Sequence, residues 1–427
     1  MDTVARTSSP PTDPSATARR GDRRLLIGAR TVRGFGAGAL SIVLALDLAG
    51  VGYSPLVIGG ILGLALGGAA AWAIAAPRLE QHWRRRSVLV LSAAALAAGG
   101  LLLWADLGNP TTVIAALLLG GIVAGSADVS PLGAMEQAAL AGPTTDEDRT
   151  WVYSVYNLAG YVGLALGALA VGPIEAVAAA PMVAGFPGPH DVVFAFYGLL
   201  GVVLIPGYWR LSEEVDRASA RERPSPLSLP SRPIVYALTA LFSIDAFAGG
   251  LIVNSLVVYY FASHFQPGAD ALGLVFFASN LAAGLSLLLA APLARRFGLV
   301  NTMVFSHIPS NVFLILVAVA PSFLVASLLW IGRATLSQMD VPTRQSYTQS
   351  VVPPEDRSAA AGYTTAARSV QAFGAPATGA CLAAGGPWIA APFVLAGCVK
   401  IAYDAGIYAR FRRLPPPEET VPRGAGP

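Results

Sequence analysis

Twelve long apolar runs, each bounded by a polar connection, set the pattern of this chain. They lie at about 28–50, 55–76, 87–106, 111–140, 150–173 and 191–211, then 233–262, 270–293, 299–320, 322–346, 358–384 and 387–411. Each is long enough for a helix to cross a hydrocarbon core of ~30 Å, which takes roughly 20 residues. Lipid offers no partner to a free backbone amide, so each run is expected to be a helix and not a strand. The polar connections alternate in charge. Those near 51–54, 107–110, 174–190, 263–269, 321 and 385–386 contain none of the chain's 27 Arg and one Lys. The connections between them hold Arg78, Arg84, Arg85 and Arg86, then Arg149, then Arg217, Arg221, Arg223 and Arg232, then Arg295 and Arg296, and both termini carry Arg as well. Basic residues stay on the cytoplasmic side, so both ends are expected there, with an even number of spans. Twelve satisfies this.

The longest polar stretch between spans is 212–232, SEEVDRASARERPSPLSLPSR, which reads as a flexible cytoplasmic linker. It separates an N-terminal six-helix bundle at 25–211 from a C-terminal one at 233–413. Residues 1–24 are rich in Ser, Thr, Pro and Arg and have no apolar segment. They read as a disordered cytoplasmic tail and not a signal peptide, with a second tail at 414–427.

The halves repeat one another. QAALAGPTTDEDR from Gln137 and QSYTQSVVPPEDR from Gln345 share Gln and Glu-Asp-Arg at an offset of 208. FGAGAL from Phe35 resembles FAGGLI from Phe247, offset 212, and APRLEQHW from Ala76 resembles APLARRFG from Ala291, offset 215. The pairs keep one order and sit at matching points of each half, as duplication requires. Two six-helix halves related by an axis along the membrane normal are the plan of one large transporter class. In both elbows the acids precede a helix N-terminus, where the helix dipole favours negative charge. Asp148 with Arg149, and Asp356 with Arg357, are also candidates to pair across the cytoplasmic mouths and gate them.

Composition agrees. Mean hydropathy is +0.59 and charged residues are 12%, against about 25% in soluble proteins. The net charge of +3 is small and the Arg residues are dispersed, so nothing suggests a nucleic-acid footprint. Cys381 and Cys398 lie in apolar runs and are expected as buried free thiols. The four His residues make no metal pattern, and no cofactor motif is present. Gly-x-Ser-x-Gly, HExxH and Walker A sequences are absent, which argues against an enzyme or direct ATP drive.

Over about 25–413 the chain resembles the major facilitator superfamily. The family's loop between spans two and three, Gly-x-Leu-Ala-Asp-Arg-x-Gly-Arg-Arg, reads here Ala76-Pro77-Arg78-Leu79-Glu80-Gln81-His82-Trp83-Arg84-Arg85. Glu80 replaces the Asp, and Ala76 and Trp83 replace glycines. The second copy keeps Leu293, Arg296 and Gly298 but has Arg295 at the acidic position. That acid helps lock the family's inner gate, so the resemblance implies a gate role for Glu80, with Arg84. The family's span-four Arg is absent. Its span-five antiporter signature is only loosely matched by Gly167, Gly172 and Pro173. WRLSEE at 209–214 looks like the family's exit from span six, and SQMDVPTRQSY at 337–347 like an element of an uncharacterised branch.

Charges deep in a bilayer are costly unless they face a cavity or a partner. Asp245 lies ~16 Å into span seven at 1.5 Å per residue, with Lys400 at similar depth in span twelve. Asp404 follows Lys400 at i+4, so the two are expected as a structural ion pair, with Asp245 a possible third member. In span ten, Arg333, Ser337, Asp340 and Arg344 form one polar stripe. Span eleven has a parallel one of Arg357, Thr364, Arg368 and Gln371. In the family, spans one, four, seven and ten line the cavity, which makes Arg333, Arg368, Ser337 and Arg33 substrate-cavity candidates. The alternative is that each Arg pairs inside the second half. At the 208 offset, Arg333 and Arg368 correspond to Gly125 and Gly160. Asp128, Asp245, Asp340 and Asp404 balance Arg33, Arg333, Arg368 and Lys400, so no cavity sign is expected.

A buried acid can exchange a proton when its surroundings switch, which makes Asp245, then Asp128, then Asp340 proton-coupling candidates. Glu136 reads as an interfacial anchor, and His307 with Pro309 as shaping a peripheral helix. Gly59, Gly63 and Gly67 on span two, and Gly163 and Gly167 on span five, offer faces for close helix approach. The expectation is an all-α polytopic membrane protein of twelve helices in two pseudo-symmetric bundles, monomeric, in the cell membrane. Its expected function is proton-coupled export (antiport) of a small organic molecule. The alternatives are a proton-coupled importer and, in another class, a non-transporting receptor or a membrane-embedded enzyme.

Overall fold

The structure is a computed structural model that describes residues 14–80, 82–120, 131–141, 146–178, 191–217 and 227–414. Among the described residues it is 89% helical, without strands. The first half comprises α1 (Pro14–Gly50), α2 (Pro55–Glu80), α3 (Arg85–Ala105), α4 (Pro110–Gly120), α5 (Pro131–Ala141), α6 (Asp146–Ala178) and α7 (Asp191–Trp209). The short α8 (Glu213–Arg217) follows. The second half comprises α9 (Arg232–Leu251), α10 (Asn254–Phe265), α11 (Ala269–Phe297), α12 (Leu299–Val317), α13 (Phe323–Ser337), α14 (Asp340–Ser350), α15 (Arg357–Ala367), α16 (Gly374–Ala384) and α17 (Ala391–Phe411).

Among the described residues, nine helical segments are long and apolar enough to cross a membrane. The other three expected spans are the interrupted ones. Span four is α4 and α5, with 121–130 outside the described residues. Span ten breaks at Gln338 and Met339 between α13 and α14, and span eleven passes through a 3-10 segment at 368–373 between α15 and α16. Span seven also breaks, at Ile252 and Val253.

Both sides of most spans are apolar because one faces protein and the other lipid. Leu40, Ile42, Val43 and Leu44 of α1 are fully buried, whereas Leu285 and Leu289 of α11, Phe305 of α12 and Leu328 of α13 are exposed. Cys398 corrects one expectation on this ground. It is exposed and Cys381 is half-buried, though both are free thiols, because an apolar setting in a membrane protein need not be the interior.

Within the first half, α1 packs on α6 and α7, and α3 on α7 and α4; within the second, α12 packs on α17 and α13, and α9 on α17. The halves meet through α6 on α11, α2 on α16, and α1 on α10. The last two contacts lie toward the end of the molecule with the Arg-free connections 51–54, 263–269 and 385–386. There the glycine face of α2 is used. A Cβ at Gly59 would stand 2.5 Å from the Ala375 carbonyl oxygen, and one at Gly63 2.6 Å from that of Ala372. Toward the Arg-bearing end, α5 packs mainly on first-half helices, and α14 and α15 mainly on second-half helices. The halves are therefore closed together at one end and parted at the other.

Two segments differ from the sequence reading. The helix of α1 starts at Pro14, well inside the expected tail, because Pro suits a first helical turn and the following Ala and Arg residues favour helix. This extension is fastened. Asp22 accepts hydrogen bonds from the Ser212 amide at 2.9 Å and its hydroxyl at 2.5 Å. The linker is likewise anchored at both ends. Asp216 accepts from the Arg86 amide at 3.0 Å, Leu227 is buried, and Ser228 donates its amide to Asp356 at 3.0 Å.

Candidate functional site

Between the halves lies a cavity of about 600 Å³. The first half contributes neutral groups to it, Gln137 of α5 with Tyr153, Asn157 and Tyr161 of α6. Among the described residues, every ionic group comes from the second half: Asp245, Arg333, Asp340, Arg344, Arg368 and Lys400, with His307 beside them. The stripe read along span ten does turn one face to this cavity, continuing across the break at 338–339, and Ser337 lines it too. Tyr161 donates to Gln338 Oε1 at 2.7 Å, joining the halves at that break.

Asp245 is the centre of a chain of charges. Its Oδ1 accepts from Lys400 Nζ at 2.5 Å and its Oδ2 from Arg344 at 3.1 Å. The same Arg344 nitrogen is 3.7 Å from Asp340 Oδ2, one turn earlier on α14, and its guanidinium lies 5.1 Å from the Phe242 ring centre. Behind this chain, fully buried Asp404 stands 2.9 Å from His307 Nδ1 and accepts from Asn311 at 3.2 Å. Lys400 and Asp404 are thus not each other's main partner. The i+4 spacing sets them on one side of α17, but the long Lys reaches across to α9 and the short Asp meets α12. His307 is likewise buried in this network and lines the cavity instead of shaping a peripheral helix.

The first half has its own charge cluster, away from the cavity. Arg33 pairs with Glu136, which is completely buried. Glu136 also accepts from the Tyr156 and Tyr208 hydroxyls at 2.5 Å each. Arg30 lies over the Tyr156 ring at 5.1 Å, seated where Gly160 lacks a side chain, since a Cβ there would meet the Arg30 guanidinium. Arg33 therefore does not line the cavity, because Glu136 draws it into the bundle. Glu136 is no interfacial anchor, because the partner cation and two phenols remove it from water.

The family model for the Major Facilitator Superfamily matches residues 238–427. An uncharacterised membrane protein of Saccharomyces cerevisiae, YJR124C, is 26% identical over 367 residues, covering 78% of this chain and 82% of its own. A D-xylose–proton symporter superimposes with a TM-score of 0.70 at 15% identity, over 91% of this chain and 97% of its own. A bacterial homologue of the human lysosomal transporter Spinster, inward-facing and occupied, gives 0.67 at 13% identity over 91% and 95%. The second half thus matches the superfamily's model, and the chain as a whole shares the fold of these transporters.

The repeat between the two halves connects the two clusters. The offset of 212 that relates Phe35 to Phe247 carries Arg33 to Asp245, and the offset of 208 carries Glu136 to Arg344. One ion pair thus occurs twice with its charges exchanged. The sequence held this signal, but it appears only when the repeat is applied to spans one, four, seven and ten together.

Among the gate candidates, Arg84 is exposed at the N-cap of α3. Glu80 ends α2, and Asp148 and Arg149 open α6, but their side chains lie outside the described residues, as does all of Asp128. The second elbow is tied within its own half. Arg357 donates to the Gln349 carbonyl at 3.0 Å, and buried Asp356 accepts from the hydroxyl and amide of Ser228. The Ser228 hydroxyl holds the Asp356 carboxyl below its ordinary pKa. Among the described residues no cluster of three His, Cys, Asp or Glu could hold a metal ion.

Proposed function

We propose that the protein is a proton-coupled secondary transporter that works by alternating access and exports a small organic molecule in exchange for protons. The observation that carries this reading is the polar cavity between halves that are packed at one end and parted at the other. A cavity of about 600 Å³ suits a small organic molecule. With the Arg-bearing connections and both termini in the cytoplasm, this is the inward-open state of a cell-membrane carrier. Return to the outward-open state parts α2 from α16, whose contact rests on Gly59 and Gly63. Proton coupling is supported by acids held at membrane depth beside the cavity. Asp245 is the first candidate and Asp340 the second, and His307 with Asp404 forms a further titratable pair in contact with that network. The import reading is favoured by the shared fold with a proton symporter.

The test is reconstitution in proteoliposomes with an imposed pH gradient and a defined mixture of metabolites and drugs, followed by mass spectrometry. Export reads as exchange against protons, import as uptake with them. Asp245→Asn is expected to abolish gradient-driven flux. Full flux in that variant overturns its coupling role, and no flux of any compound overturns the transport reading. Labelling of single cysteines introduced near each terminus tests the orientation, and labelling of the two ends from opposite faces overturns it.

A further inference from the structure

Among the described residues the cavity lining is not charge-balanced: it holds four cations, Arg333, Arg344, Arg368 and Lys400, against two acids, Asp245 and Asp340. The neutral count expected from the sequence included Arg33, which lies elsewhere, Asp404, which sits behind His307, and Asp128, which lies outside the described residues, and it left out Arg344. Both lining acids are engaged, since Lys400 and Arg344 hold Asp245, and Arg344 approaches Asp340. Those four groups cancel among themselves.

Arg333 stands outside that set. Its guanidinium lies 4.7 Å from the Trp330 ring centre, and its Nε, removed from solvent, has no hydrogen-bond partner. A guanidinium only donates, so only an acceptor satisfies it, and a planar pair of oxygens matches its fork. Two amides on the same lining are also unsatisfied, the Nδ2 of buried Asn280 and the Nε2 of Gln371. Buried donors without partners are rare in folded proteins and are costly. Here three of them face one space.

Resting on the transport reading above and deepening it, we propose that the transported molecule is an organic anion whose carboxylate or similar oxyanion is bound by Arg333, with Asn280 and Gln371 as supporting donors. Its flat or apolar part lies toward the edge of Trp330, whose ring carries the Arg333 guanidinium. Its neutral polar part meets the first-half wall, where Asn157 Oδ1 is a buried acceptor without a partner. The second half thus selects charge, and the first half reads the uncharged remainder.

The experiment measures binding and not transport, so the two readings fail separately. The purified full-length protein is titrated calorimetrically with three shape-matched probes: 2-naphthoate, 2-naphthamide and 2-naphthylmethylammonium. The anion is expected to bind at least about tenfold more tightly than the amide or the cation, as loss of a charge-assisted hydrogen bond implies. Arg333→Gln is expected to weaken naphthoate binding at least about tenfold. Arg333→Lys keeps part of the affinity, and Arg296→Gln on the surface leaves it unchanged. Equal or tighter binding of the cation, no naphthoate binding at 10 millimolar, or an unaffected Arg333→Gln variant each overturns the proposal. Should Arg333→Gln not fold, the ranking of the three probes on the native protein decides. Naphthoate binding without flux of any compound in proteoliposomes leaves the anion site standing and overturns the transport reading. Flux of a metabolite that is indifferent to Arg333 does the reverse.

Discussion

The two halves carry the same ion pair in opposite polarity and use it in opposite ways. In the first half, Arg33 and Glu136 are sealed, with two phenols closing the remaining acceptor sites of the carboxylate. In the second half, Asp245 and Arg344 stand on the cavity wall and share their charge with Lys400 and Asp340. A duplicated bundle can thus keep one copy of a buried pair as a fastening and turn the other toward the cavity. What separates them is the surroundings. Tyr156 and Tyr208 close the first pair, whereas the 208 offset carries Tyr156 to the small Thr364, a cavity-lining residue.

The sharpest way to break this contrast is Glu136→Ala. It strands Arg33 in a sealed interior, and loss of one partner from a buried pair costs about 3–5 kcal/mol. The expected result is a large fall in melting temperature of the detergent-solubilised protein. Arg33→Leu combined with Glu136→Leu is expected to recover most of it, because no charge remains to be buried. Next comes Asp245→Asn. Flux is expected to disappear while the melting temperature falls less than in Glu136→Ala, since Arg344 keeps Asp340 and the cavity lets water reach Lys400. A fall as large as that of Glu136→Ala makes the two clusters equivalent and removes the distinction. Gly160→Ala pushes a methyl against Arg30 and is expected to cost about 1–2 kcal/mol by overpacking. That is modest because the group displaced is the tip of a flexible chain.

The smallest effect concerns Asp356, outside the membrane. Its folded pKa lies below the unfolded one, so its contribution to stability is present above the unfolded value near ~4 and is lost as pH falls through the folded value. Ser228→Ala is expected to weaken the pH dependence of proteolysis at the linker end between about pH 3 and 5 and to leave binding in the cavity unchanged.

Much of this was written in the sequence, and the limits have physical causes. Span positions follow from lipid solvation alone, and the Arg333, Ser337, Asp340 and Arg344 stripe follows from helical spacing. Spacing along one helix does not determine which neighbouring helix a side chain meets. Lys400 was therefore assigned to Asp404 when its partner is Asp245, and Arg33 was assigned to the cavity when its partner is Glu136. His307 was missed because a lone His on an apolar helix gives no sign of an acid 97 residues away. The breaks at 338–339 and 368–373 were also hidden, since polar residues at helical spacing read as continuous helix.

The anchoring of the linker sets a leash on the molecule. Asp22 holds Ser212 against the first half, and Asp356 holds Ser228 against the second. Between Arg217 and Leu227 the backbone can stretch to roughly 35 Å at ~3.5 Å per residue. That contour length is an upper bound on how far Arg217 and Leu227 can separate, so shortening the segment between them by a few residues gives a direct ruler for any motion of one half against the other.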